Sequence, residues 1–192
     1  MKIVLIRHGK PEYELTGKAR AGEFSKVVRD YNRSGIVEHP PQKTKLKALE
    51  SKIAVCSDLT RSIESARALG FKDIHLCDPL FREVAIPHFT SGSLTMSVTA
   101  WIILLRCLSV FGYSNNGESL TMAKKRAKIA ASTLVEIARI HEQVLLVGHG
   151  FTNYFIAREL LARNWRGPKK PGRDYWEYGE YTYSSTFSTA LR

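Results

Sequence analysis

Three short apolar runs punctuate the chain, at residues 3–6 (Ile-Val-Leu-Ile), 53–56 (Ile-Ala-Val-Cys) and 144–147 (Val-Leu-Leu-Val). None alternates apolar with polar positions. Continuous aliphatic runs of this kind form strands covered on both faces, as in parallel sheets. Helical spacing follows them: Leu59, Ile63, Ala66 and Leu69 after the second run, and Phe155, Ile156, Leu160 and Leu161 after the third. Strands alternating with amphipathic helices predict an α/β protein with a mostly parallel central sheet.

The rest of the pattern is less regular. Phe24, Val27, Val28 and Tyr31 share one side of a helix predicted within residues 18–33. Gly35, Pro40 and Pro41 mark residues 34–45 as a loop, and residues 74–77 read as a further strand. The longest helix is predicted from about Ser119 to His141. Leu120, Ala123, Ala127, Ala130, Leu134 and Ile137 make its apolar stripe, and Ser119 is its N-cap. Residues 84–118 are irregular apart from an apolar helix around Trp101, and are read as a lid-like insertion in a single domain spanning residues 1–192. Residues 182–189 are polar and β-prone, and are predicted as a late edge strand.

Composition narrows the class. The 192 residues suit one domain with a sizeable core, and 44% hydrophobic residues argue against global disorder. A net charge of +11 favours anionic partners without choosing among them. Cys56, Cys77 and Cys107 form no zinc spacing and suit a reducing, cytoplasmic setting. Residues 98–111 are the most apolar stretch, but Arg106 interrupts them and they fall short of the ~20 residues a membrane span needs. No membrane partner is expected. The basic run Lys124-Lys125-Arg126, with Lys128, reads as a solvated helix face. Tyr175, Trp176, Tyr178, Tyr181 and Tyr183 read as packing over the sheet edge or framing a pocket, and no nucleic-acid partner is expected.

The candidate chemistry sits where the apolar runs end. The first run stops at Arg7-His8-Gly9 and the third at Gly148-His149-Gly150. Open α/β sheets bind ligands beyond the carboxyl ends of their strands, so these distant segments are expected to meet. Arg61 falls in the first turn of the helix after Cys56. A cation there opposes the helix dipole, at roughly 0.3–1 kcal/mol. An anion bound between Arg61 and that helix start reverses the sign. Gly9, Gly148 and Gly150 would let backbone approach it closely. Two arginines and two histidines around one anion make a phosphate pocket, since guanidinium forks match phosphate oxygens. A histidine can attack phosphorus when its nitrogen is unprotonated. Fixed positive groups can stabilise the transferring phosphoryl group, so no metal and no cofactor is called for.

Four motifs in this order resemble the histidine phosphatase (phosphoglycerate mutase-like) superfamily: Leu5-Ile6-Arg7-His8-Gly9, Ser57-Asp58-Leu59-Thr60-Arg61-Ser62, Gly117-Glu118-Ser119 and Val147-Gly148-His149-Gly150. The resemblance implies a three-layer α/β/α sandwich. It implies that His8 takes the phosphoryl group, and that Arg7, Arg61 and His149 hold its oxygens beside Gly9 and Gly150. In Phe81-Arg82-Glu83 it implies a general acid at Glu83, with Glu118 as the alternative. An acid that protonates the leaving oxygen should later activate water. Gly9 is followed by Lys10-Pro11-Glu12-Tyr13, which departs from the mutase continuation of the first motif and favours a hydrolase. The expectation is therefore a metal-independent phosphomonoesterase acting on a small phosphorylated metabolite or a phosphoprotein. A mutase-like phosphotransferase and a non-catalytic anion-binding module stay open. Nothing in the sequence sets the oligomeric state.

Overall fold

The computed structural model describes residues 1–184. In chain order the elements are β1 (Lys2–Arg7), β2 (Lys18–Arg20), α1 (Phe24–Arg33), α2 (Gln42–Leu49), β3 (Ile53–Cys56), α3 (Thr60–Ala68), β4 (Leu76–Cys77) and β5 (Thr95–Ser97). Then come α4 (Val98–Val110), α5 (Leu120–His141), β6 (Gln143–Gly148), α6 (Gly150–Ala162) and β7 (Tyr178–Thr182). The central sheet runs β4-β3-β6-β1-β7, parallel throughout except for β7, which pairs antiparallel with β1.

The three apolar runs are the adjacent strands β3, β6 and β1, and their lack of alternation has a direct cause. Ile3, Leu5, Val55, Val144 and Leu146 belong to one core, built with α5 and α6. Val4, Ile6, Ala54, Cys56, Leu145 and Val147 belong to a second core on the other face, with Ala48, Ala66 and Leu69 from the α2 and α3 side. Both faces are dry, so each strand needs apolar residues at every position. The result is an α/β/α sandwich. Register sets Arg7 opposite Gly148 and Cys56 opposite Val147, so the ends of β1, β6 and β3 lie level.

A third cluster joins Ala19, Ala21 and Phe24 to Val98, Trp101 and Leu105. The β2–β5 ribbon ties these segments together, and Trp101 Nε1 donates to Ala19 O at 2.9 Å. The region read as irregular therefore contains a strand as well as the Trp101 helix.

Several predicted boundaries shift. The helix within residues 18–33 begins only at Phe24, because Lys18–Arg20 pairs as a strand. The loop over residues 34–45 ends early: α2 starts at Gln42, just after the proline pair, whose second member can precede a helix without losing a needed donor. An edge strand lies at Tyr178–Thr182 and meets the predicted 182–189 strand at Thr182; residues 183–184 are not strand, and residues 185–189 fall outside the described residues. The long helix keeps its limits, and Ser119 Oγ accepts from Met122 N at 3.3 Å as its cap.

Trp101 is 1% exposed and is the largest side chain of the third cluster. Trp101→Ala should cost about 3–5 kcal/mol in urea unfolding. A loss below about 1 kcal/mol would mean that the cluster carries little of the fold's stability.

Candidate functional site

The level strand ends bring the predicted residues together. His8 follows β1 and is 2% exposed; His149 caps α6 and is fully buried, as is Arg61 in the first turn of α3. The two imidazole rings lie 4.9 Å apart between centroids. Two of the flanking glycines have a packing reason. A Cβ on Gly9 would come within 2.4 Å of the Trp176 ring, and one on Gly148 within 2.2 Å of Asn153 Oδ1. The Gly9 amide donates to Ser65 Oγ at 2.9 Å.

Hydrogen bonding fixes the state of His8. Its Nδ1 lies 2.7 Å from Gly9 O, and a carbonyl can only accept, so the proton sits on Nδ1. Nε2 then carries the lone pair, to which Arg61 Nε donates at 3.3 Å. Burial first, the charge of Arg61 next and Arg7 last push the imidazole pKa down from 6.5 to about 3, against an opposing contribution from the Gly9 bond. Burial and the neighbouring His8, Arg61 and Arg7 also hold His149 well below its ordinary value. Both rings are neutral at neutral pH.

The arginines are held on their outer sides. Arg61 Nη1 donates to Tyr31 O at 3.0 Å and its guanidinium lies 4.4 Å from the Tyr31 ring centroid. Arg7 Nη1 donates to Arg173 O, and its guanidinium lies 4.3 Å from the Tyr175 ring. Such stacking contributes about 0.5–2 kcal/mol each. Tyr175 reaches this position because residues 174–177 run against Arg7: Trp176 N donates to Arg7 O at 3.1 Å, and Arg7 N to Glu177 O at 3.0 Å. His149 Nε2 bonds Ser57 Oγ at 2.6 Å. Arg7 Nε and His149 Nδ1 are buried without a protein partner. Buried donors and acceptors are nearly always satisfied, so these two point to an anion as their partner.

Glu83 lies at the start of α6. Its carboxylate accepts from Thr152 N at 3.2 Å, Phe151 N at 3.3 Å and Val84 N at 2.9 Å. The helix N-terminus favours that negative charge. Glu118 is engaged elsewhere. It takes two 2.7 Å bonds from Arg126 Nε and Nη2, and accepts from Ala85 N at 3.2 Å. Burial raises its pKa, but Arg126 outweighs that and holds it below the usual carboxylate value. Arg126 Nη1 also donates to Leu80 O and Arg82 O, each at 2.8 Å. Glu118 and Arg126 thus brace the segment that carries Glu83.

A model of the histidine phosphatase superfamily (branch 1) matches residues 3–186. The chain belongs to that superfamily. Comparison with curated proteins gives no match. Among solved structures, a Mycobacterium tuberculosis open-reading-frame product aligns at TM-score 0.65 and 17% identity, over 96% of this chain and 92% of its own. A mycobacterial glucosyl-3-phosphoglycerate phosphatase aligns at TM-score 0.53 and 20% identity, over 84% and 79%. An Entamoeba histolytica phosphoserine phosphatase variant, solved with phosphoserine, aligns at 0.53 and 20%, over 84% and 82%. At these identities the likeness is one of fold.

Some members of this candidate site were invisible as single residues. Arg126 corrects the solvated-face reading of the basic run: Lys124, Lys125 and Lys128 are exposed, but Arg126 turns inward to Glu118. Its own signal was faint, an arginine following Glu118 by eight residues. Tyr31 gave no chemical signal of its own, and Ser57 was legible only as the first residue of the second motif. Among the described residues no helix is long and apolar enough to cross a membrane.

The lowered His8 pKa has a stability consequence. Between about 3 and 6.5 the unfolded chain binds a proton at His8 that the folded chain refuses. Stability is therefore lost as pH falls from 6.5 through that window, by up to about 1.4 kcal/mol per pH unit. His8→Asn should show a shallower fall in unfolding free energy than wild type between pH 6 and pH 4. Parallel slopes for the two proteins would mean that His8 titrates normally.

Proposed function

We propose that this chain is a metal-independent phosphomonoesterase working through a phosphohistidine on His8. The observation that carries this reading is the fixed tautomer: with Nδ1–H committed to Gly9 O, a neutral Nε2 lone pair faces Arg61. In the first half-reaction Nε2 bonds to phosphorus as the ester P–O bond breaks. Arg61 moves its N–H from Nε2 to a phosphate oxygen, and Arg7 Nε and the His149 ring bind the others. The substrate binds as its monoanion and passes its proton to Glu83, which gives it to the departing alkoxide. In the second, Glu83 takes a proton from water, the water oxygen bonds to phosphorus, and the P–N bond breaks to release inorganic phosphate.

The neutral state of His8 supports nucleophilic attack without prior deprotonation. The positions of Arg7 and Arg61 support charge stabilisation by fixed groups. The relatives named for phosphoserine and glucosyl-3-phosphoglycerate phosphatase activity support a small phosphorylated metabolite as substrate, with a phosphoprotein as the wider possibility. Three free cysteines support a cytoplasmic setting.

His8→Ala should abolish hydrolysis of para-nitrophenyl phosphate and incorporation of labelled phosphate into the protein; retained turnover would overturn the mechanism. Glu83→Gln separates the roles further. An acid contributes about 10²–10⁴-fold where the leaving group needs a proton. The variant should lose that much on an alkyl phosphate and much less on para-nitrophenyl phosphate, whose phenolate leaves unaided. Equal losses on both would remove Glu83 as the proton donor.

A further inference from the structure

Two unlike cavities adjoin the phosphate pocket. The larger, 830 Å³, is shared by Arg61 and Glu83 and walled by Phe24, Val28, Ile86, Ile102, Ile103 and Phe151. The smaller, 420 Å³, lies beside Arg7 and carries Lys170 and Arg173. Glu83 and Phe151 line both.

Of the arginines in the larger cavity, one is ion-paired and two are held by carbonyls and aromatic rings. Arg82 is paired with Asp58 at 2.6 and 2.5 Å. Arg106 donates to Val84 O at 2.8 Å and lies over the Phe151 ring at 4.8 Å, while its Nε is buried without a protein partner. Arg61 faces His8 and Tyr31. Arg29 is exposed at its surface. The walls also carry Asn32, His88 and Asn116, but most of the surface they offer is apolar: Ile103 is 60% exposed and Phe151 51% exposed. Apolar side chains of that size gain about 0.8 kcal/mol for each methylene-sized increment of surface they and a ligand remove from water. A volume of 830 Å³ is within the range of sites that enclose a drug-sized ligand.

We infer that the larger cavity receives the leaving group, and that the preferred substrate is the phosphate monoester of a bulky apolar alcohol. This rests on the phosphatase reading given above. Glu83 lines the cavity, which puts the proposed proton donor beside the departing oxygen. Residues 84–110 supply much of the wall, so the segment read from sequence as a lid is here a specificity element.

The test is a chain-length series of primary alkyl phosphates from ethyl to decyl, with para-nitrophenyl phosphate and phosphoserine alongside. The alcohols differ little in acidity, so chemistry is constant and only burial varies. The value of kcat/KM should rise about two- to fourfold per methylene over several carbons, and the longer esters should exceed phosphoserine. In Ile103→Asn, at an exposed position that does not threaten folding, the decyl-to-ethyl ratio should fall at least threefold. Binding of the non-hydrolysable methyl- and decylphosphonates is measured in parallel. A flat series, or a preference for phosphoserine, with para-nitrophenyl phosphate still hydrolysed, overturns the cavity assignment and leaves the phosphatase intact. No hydrolysis of any ester, with decylphosphonate bound far more tightly than methylphosphonate, overturns the phosphatase and keeps the cavity. Equal phosphonate binding overturns the cavity assignment in either case.

Discussion

Two guanidinium groups share the surroundings of one imidazole, and keeping like charges together away from water is costly. The rest of the site follows from that constraint. Burial first, and then the repulsion that a further positive charge would add, keep His8 and His149 neutral. Arg61 and Arg7 turn their outer edges to the Tyr31 and Arg173 carbonyls and their faces to Tyr31 and Tyr175. These partners orient the charges without neutralising them. The carboxylate of Glu83 is already committed to the α6 amides, so an incoming dianion is the group best placed to balance the pair.

That balance requires accurate placement, which comes from the sheet. Parallel pairing fixes Arg7 level with Gly148, and one residue further each chain presents its histidine. The apolar strands that do this are buried on both faces by separate cores, so a shift by one residue would cost both cores at once. Glu83 is placed differently, on an extended segment braced by Arg126 and Glu118 and docked on α6.

The sheet was readable in the sequence because four-residue aliphatic runs have few other uses, and the strand-end histidines and Arg7 were readable because polarity breaks abruptly there. Arg61 announced itself by opposing its helix dipole. The β2–β5 ribbon was not readable, since three-residue strands carry too little pattern. Nor was the start of α2, where the proline pair suggested loop alone. Arg126 and Tyr31 act through partners remote in sequence, and a helix-face arginine or a lone tyrosine looks the same whether or not such a partner exists; Tyr175 stood in the aromatic cluster read as packing over the sheet edge or framing a pocket. Gly9 and Gly148 were read as making room for an anion, whereas the structure also shows Trp176 and the Asn153 side chain filling the space a Cβ would need.

The contact of Arg7 with the Arg173 carbonyl spans 166 residues. Trp176 closes on Gly9 from the same segment. During synthesis His8 emerges long before these partners exist, by on the order of ten seconds at ribosomal speeds. Until residues 173–178 dock, β1 lacks its outer neighbour, Arg7 has neither its carbonyl nor its aromatic face, and one side of Gly9 is bare. The surroundings of His8 are thus completed only once residues 173–178 have been made and have docked, long after His8 itself.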